Sequence, residues 1–200
     1  MKKTIIRLAT ALTLFSAFAC VALALVNFIT EPAINANNAI KLKESQSQIF
    51  PEAEDFKLIE NGITSSDSTV SIENAWHAVK GDASLGIIIK AKGKSYGGDA
   101  VLLIGVGTDR RITGVRVLSL NDTPGLGANA TKPTYFVDRS SRTTFPGQFV
   151  GKSINDPFTV KEDVIPITAS TITSKALTNI IRISAQAGSA WLEAHTAGGN

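Results

Sequence analysis

Residues 168–174 read "TASTITS" and carry five hydroxyl side chains: Thr168, Ser170, Thr171, Thr173 and Ser174. They stand directly before a segment of helical period. The start of a helix leaves backbone N–H groups without intrahelical partners, and those groups together with the helix dipole hold anions such as phosphate. A hydroxyl at that place can cap the helix through its oxygen. It is also an alcohol that a phosphate can esterify. Capping needs one side chain, with Ser170 or Thr171 in the right position, so the residues alone leave two readings open. One is a solvated turn with a single cap, and the other is an anion site whose hydroxyls include a covalent acceptor.

A second stretch, "DTPGLG" at residues 122–127, has the composition of a close-approach loop. Gly125 and Gly127 let backbone come near a flat ligand, Pro124 fixes a turn and Leu126 offers an apolar contact. Taken alone, the stretch is a turn.

The elements that must position these stretches follow from periodicity. From Ile172, apolar residues recur at Ala176, Ile180, Ile183, Ala187 and Trp191, with Lys175, Asn179, Arg182 and Gln186 opposite, which is a helical spacing. Upstream, residues 85–91, 99–106 and 112–120 are short β-branched runs joined by "KGKSYGG" and "GTDRR". Connections this short predict three antiparallel strands in a meander, because a parallel return needs a dozen residues or more. The second run is apolar on both faces and is expected to be central. Residues 61–74, rich in Ser, Thr, Asn and Gly, read as a surface loop, and a helix is expected from about residue 36 to Ile49, ended by Pro51.

The N-terminus has a different solvent. Residues 8–30 carry no charge between Arg7 and Glu31, and about 20 apolar residues cross a bilayer as a helix. Lys2, Lys3 and Arg7 precede the segment, which predicts a cytoplasmic N-terminus and a remainder outside the cytoplasm. "ALA" at residues 22–24 resembles a signal-peptidase site, but the apolar run continues through Val26, Phe28 and Ile29, beyond the length of a signal core. A retained single-pass anchor in the cell membrane is therefore expected, with the lipid bilayer as its partner. Polar sequence following Cys20 would be needed for a lipoprotein start, and apolar sequence follows instead.

Setting aside Lys2, Lys3 and Arg7 leaves 17 basic against 17 acidic residues, so the exported part gives no electrostatic case for nucleic acid. Cys20, the only cysteine, lies inside the apolar span, which excludes a disulfide, a thiol nucleophile and a thiolate metal site in the exported part. His77 and His195 stand far apart without a spaced partner, so no metal site is expected. No side chain reads as a general base or nucleophile, and no catalytic residue is assigned.

"TASTITSKA" resembles the flavin-attachment motif of the G subunit of the Rnf ion-translocating oxidoreductase, commonly Ser/Thr-Gly-Ala-Thr followed by x-Thr/Ser-Ser. The C subunit of the sodium-translocating NADH:quinone oxidoreductase is similar. Aligned on the motif, Thr168, Ala169, Ser170 and Thr171 occupy the first four positions, and Thr171 becomes the hydroxyl that carries FMN through a phosphoester bond. Thr168, Ala169, Ser170, Thr173 and Ser174 are then expected around the phosphate. "DTPGLG" resembles the family's "ETPGLG", which implies that Thr123, Pro124, Gly125, Leu126 and Gly127 lie near the flavin. The resemblance covers nearly the whole chain.

It implies an α+β fold: a transmembrane helix and stalk, then an antiparallel-sheet FMN-binding domain with packed helices. The expected divisions are residues 1–30 for the cytoplasmic N-terminus and anchor, 31–75 for a juxtamembrane helix and linker, 76–195 for the extracytoplasmic FMN domain, and 196–200 for a flexible tail. The implied function is electron relay through covalent FMN in a membrane-bound ferredoxin:NAD oxidoreductase, with other Rnf-type membrane and soluble subunits and a flavin transferase as partners. Alanine and serine stand at 169 and 170 where the family has Gly-Ala, and Asp122 stands where it has Glu. An Asp usually lies three residues before the Ser/Thr, where this chain has Ile165, with Asp163 two positions earlier. That departure keeps a non-covalent ligand module open as a reading, and the anchor with its neutral exported part keeps a structural role as a membrane stalk open.

Overall fold

The computed structural model describes residues 2–60 and 63–196. Contacts divide the chain into two units, Met1–Glu44 and Ser45–Asn200. Helix α1 runs from Lys2 to Ile49, 48 residues. The helix expected from residue 36 is thus the continuation of the apolar N-terminal helix. Pro32 lies inside it and removes one donor from the ladder, while Thr30 Oγ1 donates to the Val26 carbonyl at 2.8 Å just upstream. The most apolar 18-residue window has a mean hydropathy of 2.3 and none of it is buried by protein. Phe15, Phe18, Leu23 and Phe28 stand exposed. Apolar surface of that extent is stable in lipid and not in water.

The second unit is built on a five-stranded antiparallel sheet, β1 Asp55–Leu58, β2 Val70–Lys80, β3 Ala83–Lys94, β4 Asp99–Gly107 and β5 Ile112–Leu120, in chain order. The three expected strands are β3, β4 and β5, antiparallel as expected. Two further strands precede them, so β3 and not β4 is the middle strand. Of residues 31–75, expected as juxtamembrane helix and linker, those from Ser45 onward supply β1, the start of β2 and the last turn of α1 to this unit, and the loop expected over 61–74 ends where β2 begins at Val70. A register shift between Ile72 and Asn74 breaks the alternation of β2, which hides the strand from a period-two reading.

Helix α2, Thr171–Thr196, covers one face of the sheet. Leu177, Ile180, Ile181 and Leu192 form one core with Ile87, Ile89, Leu102, Ile104 and Val106. The buried face of α2 is rotated from the expected stripe: Ile172 is exposed and Ala176, Ala187 and Trp191 are half-buried, while Ser174, Thr178, Ser184, Gly188 and Ser189 are buried. The reason is proximity. A Cβ on Gly188 would lie 3.0 Å from Ile87 Cγ2 and Ile89 Cδ1, so the helix presents small and hydroxylic residues to the sheet. The segment between β5 and α2 is mostly irregular. It includes short 3₁₀ turns at Gly127–Thr131 and Gly147–Phe149 and a hairpin, β6 Phe136–Asp138 with β7 Thr143–Thr144. It adds Phe145, Phe149, Phe158 and Ile167 to the same core.

The opposite face receives the end of α1. A Cβ on Gly105 would lie 2.2 Å from Ile49 Cγ2, and one on Gly114 would lie 3.1 Å from Ile49 Cγ1. Ile49 and Phe50 are buried there, and the Arg116 guanidinium donates to Gln48 Oε1 at 2.9 Å. The tail expected over 196–200 lies outside the described residues beyond Thr196, the last residue of α2.

Candidate functional site

Helix α2 begins within the hydroxyl cluster. The Ser174 N–H donates to the Ser170 carbonyl at 3.0 Å, the first bond of the helix, which puts Ser170 at the N-cap position, with its own side chain bonded to none of the helix N–H groups. The Thr171, Ile172 and Thr173 N–H groups thus stand at the helix start ahead of the first intrahelical donor. The turn into the helix is tight: the Ser170 N–H donates to the Ile167 carbonyl at 3.0 Å, and Ala169 lies at φ 56°. Glycine, common at this position in the motif that the stretch resembles, adopts that conformation without strain.

The five hydroxyls divide by task. Ser174 is fully buried, donates to the Ser170 carbonyl at 2.8 Å and accepts from the Ile167 N–H at 2.9 Å, so it welds the turn. Thr173, also buried, donates its hydroxyl to Asp122 Oδ2. The Thr168 backbone N–H donates to the Tyr135 hydroxyl at 3.2 Å. The hydroxyls of Ser170 and Thr171 make no hydrogen bond among the described residues, and both residues line a cleft of 440 Å³.

The other wall of that cleft is the loop at 122–127. Thr123, Leu126 and Gly127 line it together with Tyr96 and the run from Ala169 to Thr173. The structure therefore brings the two stretches onto one cavity, within the range of small-ligand sites. Pro124 and Gly125 shape the loop from behind: the Leu126 N–H donates to the Thr123 carbonyl at 3.1 Å, and the Gly125 carbonyl accepts from Asn129 Nδ2 at 2.7 Å. Pro124, Gly125, Thr168 and Ser174 are not among the lining residues. Gly127 is the glycine that the closure requires, because a Cβ there would lie 2.5 Å from Thr173 Oγ1 and 2.7 Å from Asp122 Oδ2.

Asp122 joins the walls. Its Oδ2 accepts from Ser95 Oγ at 2.7 Å and from Thr173, and its Oδ1 accepts from the Gly97 N–H at 2.7 Å. Burial, the largest single influence, opposes its ionisation. Hydrogen bonds from Thr173, Gly97, Ser95 and the Tyr96 backbone together outweigh burial and hold the carboxyl below its ordinary value.

Three large apolar or aromatic side chains are exposed on the cleft: Tyr96 at 65%, Ile172 at 62% and Leu126 at 40%. Sequence reasoning missed Tyr96, Ser95 and Gly97. Their only signal was an aromatic residue set in a Gly-rich hairpin turn, and such a turn does not say what it faces. Asp163, two positions before Ile165, spends its carboxylate on the Thr159 and Phe158 N–H groups and on Lys152 Nζ. Ile165 is exposed, and its backbone N–H and carbonyl both bond to the Gln148 side chain.

The arrangement offers N–H groups and two unengaged hydroxyls for a phosphate, and apolar walls for a flat ring. Among the described residues no cluster could hold a metal ion. The sequence matches two family models, an FMN-binding domain over residues 95–186 and an RnfG N-terminal region over residues 1–49. It is 30% identical to the G subunit of the Na(+)-translocating ferredoxin:NAD(+) oxidoreductase complex of Acetobacterium woodii, with 92% of this chain and 91% of that protein covered. It is 30% identical to the G subunit of the proton-translocating ferredoxin:NAD(+) oxidoreductase complex of Clostridium ljungdahlii, over 80% of this chain and 78% of that one. A crystal structure of Shewanella oneidensis NqrC aligns with a TM-score of 0.44 at 17% identity, covering 72% of this chain and 73% of that one.

Proposed function

The chain belongs to the family of G subunits of ion-translocating ferredoxin:NAD(+) oxidoreductase complexes, and on that premise we propose that it relays electrons on the outer side of the membrane through FMN joined by a phosphoester to Thr171. The observation that carries the reading is the meeting of the helix start and the 122–127 loop on one cleft, with the Thr171 hydroxyl unengaged in it. When bound, the flavin supplies the redox chemistry, and the protein's share is placement and electrostatics.

Each wall has a part in that placement. The free N–H groups at the start of α2 hold the phosphate, with Ser170 beside the acceptor. Tyr96, Leu126 and Ile172 pack against the ring and keep water from it. Ser174 acts from behind by fixing the turn, Thr173 fixes it from the lining through Asp122, and Thr123 offers a further hydroxyl. The other Rnf-type membrane and soluble subunits are the proposed redox partners, and a flavin transferase is the proposed source of the bond. Lys2, Lys3 and Arg7 before the apolar segment support a cytoplasmic N-terminus and an outward-facing domain.

In-gel fluorescence and intact mass of the denatured chain from its own membrane test the bond. Thr171→Ala is expected to abolish covalent flavin in a folded domain, and Thr171→Ser to retain part of it. Covalent flavin that persists in Thr171→Ala would refute the assignment. Ile165 in place of the motif's Asp favours a second reading, in which the same cleft binds FMN without a bond; flavin that is fully released by denaturing the wild-type chain would support it.

A further inference from the structure

Asp122 is 5% exposed, and the attachment chemistry makes no use of it. Its neighbours are two O–H groups and one N–H group, from Ser95, Thr173 and Gly97, so the site is built for a group that only accepts. These donors come from segments far apart in sequence. One is the β3–β4 turn that carries Tyr96, another the first turn of α2, and the carboxylate itself opens the loop that carries Leu126 and Gly127. Gly127 and Thr173 are the immediate neighbours of the carboxylate, and both line the cleft.

We propose that Asp122 is the positioning residue of the cofactor cleft and the fixed negative charge that lowers the reduction potential of a flavin held there, a role that rests on the FMN reading above. Every electron delivered to a flavin adds a negative charge to the cleft unless a proton accompanies it. A carboxylate set directly behind the lining opposes that charge, and at a half-dry site the opposition is weakly screened. The same carboxylate fixes the Tyr96 turn against the start of α2, so placement and potential are set by one group.

The test uses the full-length chain with its flavin, taken from its own membrane. Flavin content by mass and midpoint potential by spectroelectrochemical titration at neutral pH are compared for wild type, Asp122→Asn, Asp122→Glu and Ser95→Lys. Asp122→Asn is expected to titrate at a clearly higher potential, and Asp122→Glu to remain near wild type because the charge is kept. Ser95→Lys leaves the carboxylate in place, sets a cation beside it, and is also expected to raise the potential. A flavin-bearing Asp122→Asn chain at the wild-type potential overturns the role. Should that variant not fold, an unchanged potential in Ser95→Lys overturns it. A wild-type chain that carries no flavin defeats the FMN reading itself, an outcome separate from either of these.

Discussion

Ala169 sits at φ 56°, where a side chain beyond glycine is crowded. Left-handed backbone costs such a residue about 1–2 kcal/mol, and glycine loses roughly 0.5–1 kcal/mol of that advantage to its looser unfolded chain. Ala169→Gly is therefore expected to stabilise the domain by about 0.5–1 kcal/mol, read as a higher urea midpoint; a lower midpoint would mean that the methyl group packs favourably. The two glycines of the loop separate by the same reasoning. Gly127→Ala drives a methyl group into the Asp122–Thr173 contact and should cost about 1–3 kcal/mol. A Cβ at Gly125 meets nothing within 4 Å, so Gly125→Ala bears only the strain of φ 80°, about 1 kcal/mol. Acid stability follows from Asp122 and from Asp163, whose carboxyl is likewise held low although burial, its largest influence, opposes this; the Thr159 N–H, Lys152 and the Phe158 N–H prevail. A carboxyl held lower when folded releases its proton more readily in the fold. Its stabilisation is complete above the ordinary value of 3.8 and is lost as the pH falls through the folded value. Urea midpoints should thus fall between neutral pH and about pH 3, and fall less in Asp163→Asn.

The end of α1 has a seat on the sheet made by missing side chains at Gly105 and Gly114, and Ile49 fills it. Ile49→Ala should destabilise the domain by about 2–5 kcal/mol, whereas Ile29→Ala, fully outside the protein core, should leave its unfolding midpoint unchanged. Equal midpoints for both variants would show that the seat contributes nothing. Legibility of the elements depends on composition and run length as well as on period. Strands β3 to β5 are apolar, β-branched runs bounded by turn residues and are readable despite two register shifts between β4 and β5, and so is the existence of α2. The bulge at Ile72 and Asn74 conceals β2, and β1 has only four residues with little burial. The buried face of α2 differs from the apolar stripe because serine, threonine and glycine count as polar or neutral in a pattern, yet close approach to the sheet makes them core. At the cleft, composition marks the hydroxyl cluster and the Gly-rich 122–127 turn, and only the family resemblance singles out Thr171 or pairs the two stretches. Tyr96 is not legible, because its turn meets the start of α2 through the carboxylate of Asp122, a residue far away in sequence.

The chain joins an apolar helix, a candidate membrane span, to a domain with its own core, and the two can be separated. The intact chain is expected to remain with membranes after an alkaline wash, and external protease is expected to digest the sheet domain. A fragment that starts at Ser45 should be soluble and folded, while one that starts at Glu52 loses Ile49 and Phe50 and with them about 3–6 kcal/mol of buried apolar contact. A freely soluble native chain beginning near Leu25 would contradict the retained anchor. The glycine seat also has a consequence for the clock on which α1 opens. Backbone amides exchange their hydrogens when the structure around them lets go, and that release energy varies along a molecule. The Phe50 N–H donates to the Gln46 carbonyl inside the seated turn, so it and the Ile49 amide should exchange only when the domain opens as a whole, while the amides up to Gln48, whose acceptors lie before Ser45, are released with the turns ahead of the seat. One unbroken helix would then carry an abrupt step in deuterium uptake near Ile49, a border drawn in time where the backbone has none.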